Sequence, residues 1–212
     1  MSGVRYSKIL RILNILVILI LVTIIPMLGC DDPGYKVHGN DLGNRTITVK
    51  KGIGHFTMIY PPDYLLNLLH VDNSGGISRL FVEFQSSDTQ DAYSSINIGV
   101  RDMGGVPEAE SWVKSALSIV RNYRNFKLID ESTLTVEGML AYQYSYYYDL
   151  NPTDPHIIIK TEETSYVTIL VRSVVFDHSG FLWEIYLDSE PSREEQDMAT
   201  FDLVLDTFKV LD

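Results

Sequence analysis

Asp177-His178-Ser179-Gly180 sets the three side-chain types of a hydrolytic triad side by side. Triads are assembled from separated segments, with the nucleophile on a sharp elbow of the G-x-S-x-G kind, and neither condition is met around Ser179. Asp, Ser and Gly are turn formers, so the string predicts a hairpin turn. The five histidines, His38, His55, His70, His156 and His178, are too scattered to give the close pair of a helical or finger-type zinc site. Asp88 and Asp91 offer carboxylates in a polar loop, without the spacing or closing glutamate of an EF-hand. Gly52-Ile53-Gly54 precedes a β-rich segment and lacks the rest of a phosphate loop, which makes it a turn. These residues supply no catalytic constellation, no metal centre and no cofactor site, and the expectation is a protein that is not an enzyme.

The clearest chemistry belongs to Cys30, the single cysteine in 212 residues. In an exported chain a lone thiol has no internal disulfide partner, and lipidation accounts for the odd count. The segment before it holds no acidic residue: Arg5, Lys8 and Arg11 lead into an apolar stretch from Ile12 to Leu28, and Gly29 precedes the cysteine. As a helix, that stretch would reach about 25 Å, short of a bilayer core about 30 Å thick. The layout resembles the bacterial lipoprotein signal, in which a small residue precedes a cysteine that is diacylated on sulfur and becomes the new N-terminus. Gly29 and Cys30 match it, whereas Met27 stands where leucine is usual and Leu28 is bulkier than common. The resemblance implies a signal peptide over residues 1–29 and an extracytoplasmic protein held to the membrane at Cys30. The alternative is an uncleaved signal anchor whose cations keep its start in the cytoplasm.

All 28 acidic residues follow Cys30, against 14 of the 17 Lys and Arg, so this part carries a formal charge of 14 − 28 = −14. Phosphate contacts need a basic face, which excludes nucleic acid as the expected partner. A polybasic grip on anionic lipid is excluded on the same ground, leaving attachment to the anchor.

Tyr142, Tyr144, Tyr146 and Tyr148 alternate along one segment and must share a strand face. Beneath a helix their rings fill core volume while the hydroxyls reach a rim. On an open face they form an adhesive surface for a protein, peptide or glycan. Leu140 extends the same face and amphipathic helices are available to cover it, which favours the core reading and leaves the interaction surface as the functional alternative.

The elements that position these residues follow from periodicity. Residues 30–44 carry three glycines and a proline with little pattern and read as a lipidated cysteine followed by a flexible tether. The remaining 45–212 suit one domain. Strands are expected over 46–49, 55–60, 77–85, 95–101, 128–136, 140–148, 156–161, 166–176 and 182–187. Pro61-Pro62-Asp63-Tyr64 can open only a short helical turn before Leu65, Leu66, Leu68 and Leu69. One helix begins near Pro107, with Val113, Leu117 and Val120 on its apolar face; a second begins at Ser192, with Glu195 completing a capping box. Two helices separated by a run of strands predict an α+β fold, an antiparallel sheet of about six to eight strands sandwiched by helices.

Several stretches resemble the PsbP-like superfamily: Phe56–Tyr60 with Pro61-Pro62-Asp63-Tyr64, Ile98-Gly99-Val100-Arg101, Asn125-Phe126-Lys127-Leu128, Gly138–Tyr148, Phe181–Ile185 and Phe201–Leu211. The resemblance spans nearly all of 45–212 and implies the same antiparallel sandwich, with a noncatalytic docking or assembly role toward a membrane-associated protein partner. The family shares no functional residues to carry over. A small-ligand or envelope-component binder, with a pocket between sheet and helix, is the second expectation. An exported hydrolase is the third, and would need an acid, base or nucleophile constellation.

Overall fold

A computed structural model describes residues 34–39, 43–73, 78–87, 93–106, 108–151 and 166–211. The leader, Cys30, Asp88, Asp91, His156 and the strand expected over 156–161 lie outside these residues. The fold described is that of the unit Tyr35–Asp212. Among the described residues, no helix is long and apolar enough to cross a membrane.

Strands β1 (Tyr35–Gly39), β2 (Arg45–Lys51), β3 (Gly54–Tyr60) and β11 (Lys209–Val210) form a four-stranded sheet in the order β1-β2-β3-β11. A seven-stranded sheet contains β4 (Tyr64–Asp72), β5 (Arg79–Ser86), β6 (Ser94–Asp102), β7 (Lys127–Val136), β8 (Met139–Leu150), β9 (Val167–His178) and β10 (Phe181–Ser189). Its order is β4-β5-β6-β10-β9-β8-β7, and the pairings are antiparallel. Helix α1 spans Ala109–Val120 and α2 spans Glu194–Thr207. This is the expected α+β class.

Alternation in the strands explains the layering. Leu80, Val82 and Phe84 of β5, Ile96, Ile98 and Val100 of β6, and Trp183, Ile185 and Leu187 of β10 all bury on one face. They meet Ile47, Val49, Phe56 and Met58 from the four-stranded sheet, and Phe201 and Val204 from α2. The layer opposite α1 is therefore a second sheet together with a helix. Phe56 stacks on Phe208 at 5.4 Å and Phe176 on Trp183 at 6.1 Å between ring centroids. Gly54 marks the closest approach of the sheets, since a Cβ there would stand 2.7 Å from Val100 Cγ2.

On the other face, Ala109, Val113, Leu117 and Val120 recur at helical spacing along α1 and bury against Tyr144, Tyr146, Ile169, Val171 and Val175. The helix rests chiefly on β8 and β9.

Two local expectations change, the tether and the Ser192 cap, while the Pro61–Tyr64 turn and the Asp177–Gly180 hairpin are met. Within the stretch read as a tether, Tyr35–Gly39 forms an edge strand on β2, because its backbone finds a complete antiparallel partner there. The leucines after Pro62 lie in β4: the turn closes at once, with the Tyr64 N–H donating to the Pro61 carbonyl at 3.2 Å. A register shift between Leu66 and Leu68 then lets the run alternate around Asn67. Ser192 does not cap α2, because Pro191 opens a 3-10 turn through Arg193 and puts the serine inside it. The Asp177–Gly180 string is a hairpin turn, with Ser179 at φ 52° and Gly180 at φ 84°, the positive pair of a type I′ connection.

Candidate functional site

The hairpin settles where the triad-type residues go. Asp177 Oδ2 accepts the Ala109 N–H at 2.8 Å and so caps the first turn of α1 from a neighbouring strand. Ser179 is exposed in the turn, and His178 ends β9 half-buried. His38 and His70 are exposed on β1 and β4, and His55 is half-buried on β3. Among the described residues no three His, Cys, Asp or Glu side chains are grouped to hold a metal ion. Gly52, at φ 67°, supplies the turn between β2 and β3.

The tyrosine stripe divides. Tyr144 and Tyr146 are buried beneath α1, 4% and 6% exposed, with parallel rings 6.1 Å apart. Phe126 packs on Tyr146 and Tyr123 on Tyr148. Burial pushes the Tyr144 phenol well above its ordinary value, and the neighbouring Glu184 carboxylate adds to the shift. Tyr142 and Tyr148 are half-buried. A continuous four-tyrosine adhesive face is thus not what the fold presents; two of the rings are core.

What α1 leaves uncovered is the other half of its sheet face. Here Phe81, Glu83 and Gln85 of β5, Ser95, Asn97 and Gly99 of β6, and Tyr186 and Asp188 of β10 all point the same way, because they alternate with the core residues of those strands. A cavity of about 340 Å³ opens over this floor. Asn67 and Leu68 of β4 line one side and Tyr148, Leu150 and Ile169 the other, with Tyr93 alongside. Volume and lining fall within the range of small-molecule sites.

Hydrogen bonds fix much of the lining. The Tyr93 N–H donates to Glu190 Oε1 at 2.6 Å and the Glu190 N–H to the Tyr93 carbonyl at 3.0 Å, which pins Tyr93 to the end of β10. Its hydroxyl lies 3.0 Å from Ser95 Oγ, which also accepts from Asn97 Nδ2 at 2.9 Å. Glu83 Oε2 accepts from Asn67 Nδ2 at 2.8 Å. The Asp188 carboxylate, unlike that of Glu83, has no hydrogen-bond or ion-pair partner among the described residues. Burial raises its carboxyl to about 7, and the charges of Glu83 and then Glu184 add to the shift. Burial also raises the Tyr93 and Tyr186 phenols, with Asp188 as the leading charge on each.

A charged seam borders the cleft on the α1 side. Arg101 Nη1 donates to Glu184 Oε2 at 2.9 Å, and its guanidinium lies 4.5 Å from the Trp112 ring centre of α1. Glu184 Oε1 also accepts from Tyr144 and Ser173 hydroxyls, at 3.3 and 3.2 Å. Beyond the seam, Arg79, Arg101 and His70 line a smaller recess of about 250 Å³ on the same floor. Asp72 lines that recess as well, so its cations stand beside a carboxylate, whereas the charged lining of the larger cavity is only Glu83 and Asp188.

Sequence reasoning did not find Glu83, Asn97, Tyr186 or Asp188. The available signal was the polar alternate set of β6 and β10, which is unusual for strands at the centre of a sheet.

No protein-family model matches the chain, and no curated protein does. Among solved structures, LpqN of Mycobacterium tuberculosis, described as involved in cell envelope biogenesis, overlaps with a TM-score of 0.52 at 14% identity, over 84% of this chain and 91% of that one. A Pseudomonas aeruginosa protein of unknown function, a putative regulator, overlaps at 0.44 with 11% identity, over 79% and 91%. Cyanobacterial PsbP from Synechocystis overlaps at 0.42 with 16% identity, over 88% and 99%. At these identities the likeness is one of fold alone, and the last two overlaps are too loose to argue from.

Proposed function

We propose that this chain is a noncatalytic extracytoplasmic binding protein, held at a membrane by lipidated Cys30, whose ligand site is the cleft over β5, β6 and β10. The observation that carries this reading is the polar, tyrosine-bordered cavity on the half of the sheet that α1 leaves open. An uncovered sheet face with no role would be expected to be flat and solvated, whereas this one is walled on both sides and holds a carboxylate at the expense of its own ionisation. Compartment and anchor rest on the leader sequence. The likeness to LpqN, an envelope biogenesis protein, contributes the fold.

Native mass spectrometry of the full chain, released gently from its own membranes, tests the reading. The expected result is an added small-molecule mass that a Gln85→Trp variant, its indole filling the cleft, does not carry. Bare protein in both samples would overturn it.

Docking onto a membrane-associated protein is the second reading. It draws on β4, an edge strand that exposes Leu65 and Leu68 beside the cleft. Stoichiometric recovery of one membrane protein, lost on Leu65→Asp/Leu68→Asp substitution, is its expected signature.

A further inference from the structure

Given the cleft as a ligand site, the geometry points to an organic ammonium ion, a protonated amine or quaternary ammonium group, as the chemical class it takes. The inference rests on the proposed binding role and adds the charge and type of the ligand.

Three observations converge. The cavity lining contains two carboxylates, Glu83 and Asp188, and no Lys, Arg or His. Of the guanidiniums on the adjoining floor, Arg101 is already committed to Glu184 and to the Trp112 ring, and neither it nor Arg79 lines the cavity. A cation entering the cavity thus meets two acids with no resident counter-ion between them. Secondly, aromatic side chains surround those acids: Phe81, Tyr93, Tyr148 and Tyr186 all line the same space. Carboxylates among aromatic rings are the combination that recognises alkylammonium groups, the rings offering their negative faces and apolar contact to the carbon substituents. Thirdly, the cavity of about 340 Å³ is far larger than a bare metal ion needs, and two carboxylates fall short of a metal centre, whereas a small organic cation fits.

Asp188 provides a readout. The titratable and charged groups around it are Glu83 on β5, Glu184 and Tyr186 on its own strand, Tyr93 before β6, Tyr146 on β8 and Arg101 on β6, the last held by Glu184. Its β9 neighbour in register is Val171 and its β6 neighbour is Ser95, so neither adds charge. With the carboxyl at about 7, an ammonium ion binds to a form that is mostly protonated at pH 6 and mostly ionised at pH 8. Affinity should therefore rise roughly tenfold from pH 6 to pH 8.

The test titrates the full chain in a neutral detergent with choline and with 1,5-diaminopentane, following amide resonances of Asn97, Gly99 and Asp188. The neutral isostere 3,3-dimethylbutan-1-ol serves as control for choline. Expected are saturable shifts with at least one ammonium probe, at least tenfold weaker binding of the isostere, and at least tenfold loss on Asp188→Asn. Replacing Asp188 removes an unfavourable charge, so that variant should fold; Glu83→Gln is the second variant and should weaken binding as well. Equal binding of choline and its isostere would overturn the ammonium assignment while leaving the cleft a ligand site. So would calcium chloride shifting these resonances while neither ammonium probe does. Silence toward both ammonium probes overturns it outright, and the native-mass experiment still decides separately whether the cleft carries a ligand of another class.

Discussion

Asp188 is held where its charge is unwelcome, and the sign of the effect on stability follows. An aspartate whose folded carboxyl titrates at about 7 against an ordinary 3.8 stays protonated in the fold while the unfolded chain ionises. The penalty is absent below the lower value, grows between the two, and is complete above the upper one. Asp188→Asn should thus leave stability nearly unchanged at pH 3 and raise it at pH 8, by up to on the order of 4 kcal/mol; urea unfolding at the two values checks this, and equal gains at both would refute it. Asp197 is the opposite case. Fully buried near the start of α2, it accepts from Tyr64 at 2.9 Å, from Ser189 at 2.6 Å and from Arg193 at 3.3 Å. Asp197→Ala removes the carboxylate that faces the Arg193 guanidinium and accepts from two hydroxyls, and should cost about 3–5 kcal/mol, read as a lowered urea midpoint. The contrast explains why one acidic residue is a candidate for ligand contact and the other for holding the fold: the first lacks partners that the second has in full.

At the scale of elements, the two sheets meet tightly at the start of β3. A side chain at Gly54 would collide with Val100 and with Leu80 Cδ2 at 2.9 Å, so Gly54→Val should destabilise by about 1–3 kcal/mol, a loss that calorimetry of the variant would register. Strands and helices were largely legible because their apolar residues repeat with period two or with helical spacing, as in Leu80, Val82 and Phe84 or Val113, Leu117 and Val120. Leu65 to Leu69 were harder, since four leucines in five positions carry no clean period and only pairing with β5 decides the matter. Of the cleft, only Tyr148 at its border belonged to the tyrosine stripe read from the sequence; the floor was not legible. Its residues are the polar alternates of β5, β6 and β10, and each strand alone reads as one with a solvated back. Register brings Glu83 opposite Asn97 and Asp188 opposite Ser95, and register is a property of the assembled sheet. The hairpin at Ser179-Gly180 was readable from turn chemistry, whereas the use of Asp177 to cap α1 joins residues 68 positions apart.

For the whole molecule, the proposed function assigns location and binding to separate parts of the chain. The expectation from the leader is that Cys30→Ala moves the protein from the membrane fraction to the soluble one. Mass spectrometry of the wild type should then find an acylated Cys30 as its first residue, and an intact Met1 would identify a signal anchor instead. The acidic composition, 28 Asp and Glu against 14 Lys and Arg beyond Cys30, gives anionic lipid little to hold, so the same partition should be insensitive to salt. Finally, the seam of Trp112, Arg101 and Glu184 has an evolutionary consequence. It separates a helix-covered half of the sheet, where any change must be repacked, from an open half whose side chains point away from the core of the same strands. Substitutions at Glu83 or Gln85, which lie outside the core, should cost folding less than changes beneath α1, so descendants of this scaffold are free to change what they hold while inheriting how they stand.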